Sequence, residues 1–209
     1  YRELPDAALT ETNGLTLAQR DVEAIADDYL SALLEYRPEL GTMYSLPGAR
    51  HDRLADNSPE AWFAWQARED AWLAELSASG IRAEVGSRDW VTYGILHETL
   101  ASSAAIRVCR NELWAASSMT AWHTLVPSLF EIQPVDTPEL QRQALQRLAA
   151  LPKYIDIEIA NLRRGLESGY SAPRLRVAPA VSEVRALAGA DSPLLSPGIR
   201  AGDPRFAAE

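Results

Sequence analysis

Apolar residues recurring three and four apart, between residues that start or stop helices, restrict this chain more than any other feature. Ile155, Ile159, Leu162 and Leu166 follow a 4-3-4 spacing, with Lys153, Asp156, Glu158, Arg163, Arg164 and Glu167 on the other faces. Pro152 opens that helix and Gly169 ends it, because a proline is best tolerated in a first turn and a glycine just past the last one. Val22, Ile25, Ala26, Tyr29 and Leu33 repeat in the same way until Pro38. Thr16 followed by Gln19 reads as the capping box that begins this first helix. Ser58, Pro59 and Glu60 start a second helix that Gly80 closes, with Trp62, Trp65, Trp72 and Leu76 on its buried face.

Ser87 precedes a third helix over 88–110 carrying Val91, Ile95, Leu100, Ala104 and Val108, and Thr137 with Pro138 starts a fourth bearing Leu140, Ala144, Leu148 and Leu151. A sixth is expected between Pro173 and Ala188, kinked or delayed by Pro179. No segment alternates with period two, so no strand is expected. The fold class is all-α, a multi-helix bundle-like array with short connections. Residues 1–15 read as a polar arm, 16–188 as one helical domain and 189–209 as a Pro-containing tail without a period.

The 209 residues are 47% hydrophobic, enough for a real core. A net charge of -9 excludes a nucleic-acid backbone or an anionic membrane surface as the natural partner. Nineteen of the 20 basic residues are Arg, which reflects coding bias rather than phosphate recognition. No apolar run reaches the roughly 20 residues that cross a bilayer, and the single cysteine, Cys109, excludes an intrachain disulfide.

A complete catalytic constellation is missing. His97-Glu98 begins a His-Glu-x-x-His pattern, but Ala101 stands where the second zinc ligand belongs, so His97 reads as an ordinary helix histidine. His51 reads as a solvated or loop-bracing residue. Cys109 has no histidine within a helical turn to act as its base and reads as a buried structural cysteine. The carboxylates Asp27-Asp28, Glu69-Asp70 and Asp156/Glu158 read as solvated charge. No phosphate loop or Gly-x-Ser-x-Gly elbow occurs, and no metal site is expected in this chain.

The stretch 109–134, CRNELWAASSMTAWHTLVPSLFEIQP, is dense in apolar residues yet keeps no single helical period, with Asn111, Ser117, Ser118, Thr120 and His123 interleaved. Apolar walls with a few polar groups suit a ligand cleft or docking surface, and equally a buried irregular connection. Trp114, Trp122 and His123 are the candidate cleft residues.

Three ordered segments, DDYLSALLEYRPELGTMYSLPGARHDRLADNSPEA, CRNELWAASSMTAWH and LPKYIDIEIANLRRGLESGYSAPRLRV, resemble the N-terminal region of the bacterial domain-of-unknown-function family 885. The resemblance implies the helical N-terminal part of a longer, exported or periplasmic, zinc-dependent peptidase-like protein. Its metal motif would lie beyond residue 209, so this chain would hold no cofactor of its own and would shape the cleft beside a C-terminal part that carries zinc. A peptide substrate and that C-terminal part are the partners implied. The alternative is a non-catalytic helical binding or interaction module.

Overall fold

The structure, a computed structural model, describes residues 21–78, 83–116 and 121–208, all of them in helices, turns or irregular backbone with no strand among them. The 1–15 arm, the Thr16/Gln19 capping box and Gly80 lie outside the described residues.

Asp21 caps α1 (Val22–Tyr36), its side chain accepting from the Ala24 N–H at 2.8 Å. A short α2 (Glu39–Met43) follows, then α3 (Pro59–Ala78) and α4 (Arg88–Ile106), capped by Ser87. Helices α1, α3 and α4 pack together around Val22, Ile25, Ala32, Trp65, Trp72, Leu76, Leu96 and Leu100. Tyr36 stacks on Trp65 at 4.6 Å, and Tyr29 meets Trp72 edge-on at 5.4 Å. The aromatic face of α3 is therefore core, except that Trp62 is half-buried.

Two expectations for this unit need correction. On α4 the core is reached by Leu96 and Leu100, while Val91, Ile95 and Val108 of the expected stripe are 44%, 65% and 79% exposed. The helix also stops at Ile106 rather than 110, passing into a 3-10 turn over Arg107–Cys109, and Arg110 is left-handed at φ 48°. Nor are the carboxylates all solvated. Glu69 is buried, taking hydrogen bonds from Ser103 Oγ at 2.8 Å and Arg107 Nη2 at 3.0 Å, and Asp28 accepts from Trp72 Nε1 at 3.0 Å.

The second unit is built on α5 (Trp122–Glu131) and α6 (Pro138–Glu167). Thr137 caps α6 as expected, but the fourth and fifth helices are one helix of 30 residues, with Pro152 inside it rather than at its start. Pro152 sits on the exposed face, and Leu151 and Ile155 pack inward on either side of it, so tertiary contact outweighs the lost backbone hydrogen bond. Val126, Phe130 and Leu151 form the second core. Residues 189–208 contain a 3-10 turn, α8 (Ser196–Ala201) and α9 (Pro204–Ala208), and Arg200 donates to the Phe130 and Gln133 carbonyls at 3.1 and 2.6 Å, closing the end of α5. Between α6 and these lies α7 (Arg174–Ala186), which contains Pro179 and buries only Ala180.

The long connection between α2 and α3 is irregular, so its polar backbone needs partners from elsewhere. Arg147, fully buried on α6, donates to the Arg53 carbonyl at 3.0 Å and the Arg50 carbonyl at 3.2 Å, Gln133 donates to the His51 carbonyl at 3.1 Å, and the His51 N–H donates to Gln143 at 3.1 Å.

Candidate functional site

Helix α6 carries its 4-3-4 stripe past the second core and then leaves part of it uncovered. Ile159 is 39% exposed and Leu166 is 66% exposed, so these residues are not the closed core that their spacing suggests. Opposite them α7 presents Val177, Val181 and Val184 at the same helical spacing, each about two-fifths exposed. Between the two rows lies a groove of about 580 Å³. That volume falls in the range of small-ligand sites.

The end of the groove is made by residues 113–116, Trp122 and His123. Gly165 lets it approach: a Cβ there would stand 1.9 Å from the Leu113 carbonyl oxygen, so only a hydrogen side chain allows the 3-10 turn Asn111–Leu113 to lie flat on α6. The turn brings Trp114 to the groove, and a hydrogen bond of 2.9 Å from its indole N–H to the Cys109 carbonyl fixes the ring. Helix α5 starts at Trp122 and places it beside His123 at the same mouth. The Trp122 and His123 rings meet edge-on at 5.9 Å.

All three candidate residues thus line one groove, although they come from separate elements. Their roles differ. Trp114 and Trp122 are half-buried and give the mouth its aromatic surface. His123 is buried, and its Nε2 lies 3.0 Å from Glu183 Oε2 on α7 without the alignment of a hydrogen bond; neither atom has another polar partner. It links α5 to α7. The rest of 109–134 divides between the two alternatives that the sequence left open: Leu113, Val126, Leu129 and Phe130 are core, whereas Leu125 and Ile132 are exposed. Ser117, Ser118, Met119 and Thr120 lie outside the described residues.

The groove can hold an apolar side chain or segment, and among the described residues Arg185 is the one Lys, Arg, Asp or Glu that lines it. Sequence reasoning read the α6 row as the apolar stripe of a helix and did not name the α7 row. Both rows were visible as helical stripes, but a stripe does not say whether another helix closes over it.

The remaining candidates have structural surroundings. His51 braces its loop, with Nδ1 2.8 Å from Thr42 Oγ1, and His97 stacks on Tyr93 at 5.6 Å. Cys109 is exposed, not buried, because the chain leaves α4 one turn earlier than its spacing suggests. Among the described residues no three His, Cys, Asp or Glu side chains gather where a metal ion could sit, and no helix is long and apolar enough to cross a membrane.

The sequence model of a family described as bacterial protein of unknown function (DUF885) matches residues 38–206. Among curated proteins none matches this chain.

Proposed function

The chain belongs to the DUF885 family of bacterial proteins, and we propose that it forms one wall of the substrate cleft in a zinc-dependent, peptidase-like protein. The observation that carries this reading is the open apolar groove in which Trp114, Trp122 and His123 meet the uncovered rows of α6 and α7. Such a groove suits the apolar side chains of a peptide, whose burial favours binding by about 25 cal/mol per Å² of apolar surface removed from water.

The described residues do not fit zinc themselves. His51, His97 and His123 are engaged with Thr42, Tyr93 and Glu183, and among the described residues none of them stands in a group of three His, Cys, Asp or Glu side chains that could hold a metal ion. Any zinc would be held by residues other than these, and the hydrolytic step would take place on that part of the protein. An exported or periplasmic location belongs to the same proposal, and cell fractionation tests it.

The intact gene product should contain zinc and cleave peptides with apolar side chains. Leu166→Asp and Ile159→Asp, both at exposed wall positions, should raise KM for such peptides several-fold with little change in kcat. An intact product without zinc and without peptidase activity would overturn the reading. Active variants with unchanged KM would remove the groove from the cleft.

A second reading, a non-catalytic interaction module, draws support from α4, where Trp90, Val91 and Ile95 stand 46%, 44% and 65% exposed on one helix. Substitutions there that abolish capture of a partner, in a product with no peptidase activity, would favour it.

A further inference from the structure

A second cavity, of about 240 Å³, has the opposite character. It lies where the end of α1, the loop at 55–57, the start of α3 and the middle of α6 meet the turn at 110–113. Tyr36, Trp62, Phe63 and Tyr154 supply its aromatic walls.

Two of its acceptor atoms are buried without a donor. Glu39 Oε1 accepts from the Ala55 N–H at 3.3 Å, whereas Glu39 Oε2 is buried without a partner. Asn57 donates through Nδ2 to Glu158 Oε1 at 2.6 Å and to the Tyr154 carbonyl at 3.2 Å. Both of those partners are acceptors, which fixes the orientation of the amide. Asn57 Oδ1 is thereby left buried and unpartnered. Neither Glu39 nor Glu158 forms an ion pair among the described residues.

The cations at the cavity do not fill this gap. Arg110 pairs with Glu112 at 2.8 Å and lies over the Trp62 ring, Arg164 donates to Asn161, and Arg37 is exposed. Two carboxylates, an amide oxygen and aromatic faces within one small cavity call for a compact cation with several N–H donors. A planar apolar ligand would leave Glu39 Oε2 and Asn57 Oδ1 unsatisfied.

We infer that this cavity binds a protonated primary amine, held by Glu39, Asn57 and Glu158 against the aromatic walls. Burial, which holds the Glu158 carboxyl above its ordinary range, is the expected environment of a carboxylate awaiting a cation. A free peptide amino terminus and a simple alkylamine share this chemistry, and the two can be told apart directly.

The test is titration calorimetry of the 209-residue chain with dialanine, N-acetyl-dialanine and n-butylamine at neutral pH. Dialanine, butylamine or both should bind, and if dialanine binds, N-acetyl-dialanine should bind at least tenfold more weakly. Binding by dialanine alone identifies a peptide terminus, and binding by butylamine as well identifies a general amine site. Glu158→Gln should weaken binding at least tenfold with helicity retained. Should that variant fail to fold, Trp62→Leu, at a half-buried wall, should weaken the amine several-fold. Equal binding of the acetylated peptide, no binding by either amine, or unchanged affinity in the folded variants would overturn the inference. The cavity and the apolar groove are tested separately by Val181→Asp, at an α7 position that lines the groove and not the cavity, which should leave amine binding unaltered.

Discussion

Thr42 Oγ1 lies 2.8 Å from His51 Nδ1 and also accepts a hydrogen bond from Arg147 Nη2 at 3.0 Å. A guanidinium only donates, so the threonine hydroxyl is free to donate its own proton to His51 Nδ1. The neutral tautomer of His51 with its proton on Nε2 fits that contact. Burial, and then the positive charge of Arg147, hold its pKa below the ordinary value of 6.5. The unfolded chain therefore takes up the proton first as pH falls, and the contribution of this group to stability is complete above about pH 6.5 and declines below it. Thermal denaturation at steps from pH 7.5 to 5.5 should show Tm falling with pH, and His51→Gln should flatten that fall. An equal slope in the variant would assign the pH dependence to other groups.

Arg147 itself is a buried cation whose hydrogen bonds run to carbonyls, Gln133 and Thr42 rather than to a carboxylate. Burial pushes its pKa down to about 10, which leaves it charged at neutral pH. Arg147→Ala should cost roughly 3–5 kcal/mol, because it strands several buried acceptors at once. Arg147→Lys should recover only part of that, since one ammonium cannot span the same fork. Urea midpoints measure the cost. Tryptic cleavage after Arg50 or Arg53 should accelerate in the variants if Arg147 holds that loop down.

Gly165 and the Leu113 carbonyl set how closely the groove end approaches α6. The clash is with backbone, not with the end of a flexible side chain, so Gly165→Ala should destabilise by roughly 1–3 kcal/mol despite the better helix propensity of alanine. An increase in Tm would mean that the turn at 111–113 can move away at little cost.

Trp65 is the centre of the first core, stacked on Tyr36 and within 5.6 Å of Trp72 and 5.9 Å of Tyr29. Trp65→Ala should cost roughly 3–5 kcal/mol through the lost burial and the cavity left behind. An unchanged denaturation midpoint would contradict this packing.

The helical class and the capping residues Ser87 and Thr137 were readable in the sequence because they depend on local spacing and local hydrogen bonds. What local pattern could not supply was orientation. Val91 and Ile95 have the spacing of a buried stripe, yet they point outward because Leu96 and Leu100 meet α1 and α3 first. Pro152 reads as a helix start by its chemistry and is carried inside α6 by packing on the opposite face. Trp114, Trp122 and His123 stood out by composition, but their common groove depends on Gly165 and on α7, which lie far along the chain. The amine cavity was not visible at all, since Glu39, Asn57 and Glu158 are joined only by the fold and Glu158 reads as ordinary surface charge.

Helix α7 should be the least protected long helix of the described residues. Only Ala180 is buried, while Leu175 is 82% exposed and Val177, Val181 and Val184 face the groove. Pro179 removes one backbone hydrogen bond from its middle. Its main polar tie is the His123–Glu183 contact, which lacks hydrogen-bond alignment. Local opening free energy follows buried contacts, so amides of Arg174–Ala186 should exchange at least a hundredfold faster than those of Pro59–Ala78, whose helix buries Trp65, Trp72 and Leu76. An apolar peptide that fills the groove supplies the contacts that α7 lacks, and its protection should rise in proportion to occupancy. Hydrogen exchange with and without such a peptide reads both effects. Protection of α7 equal to that of α3 in the free chain would show that the helix is held by contacts other than these. Binding of the peptide with no gain in protection would place the peptide away from α7.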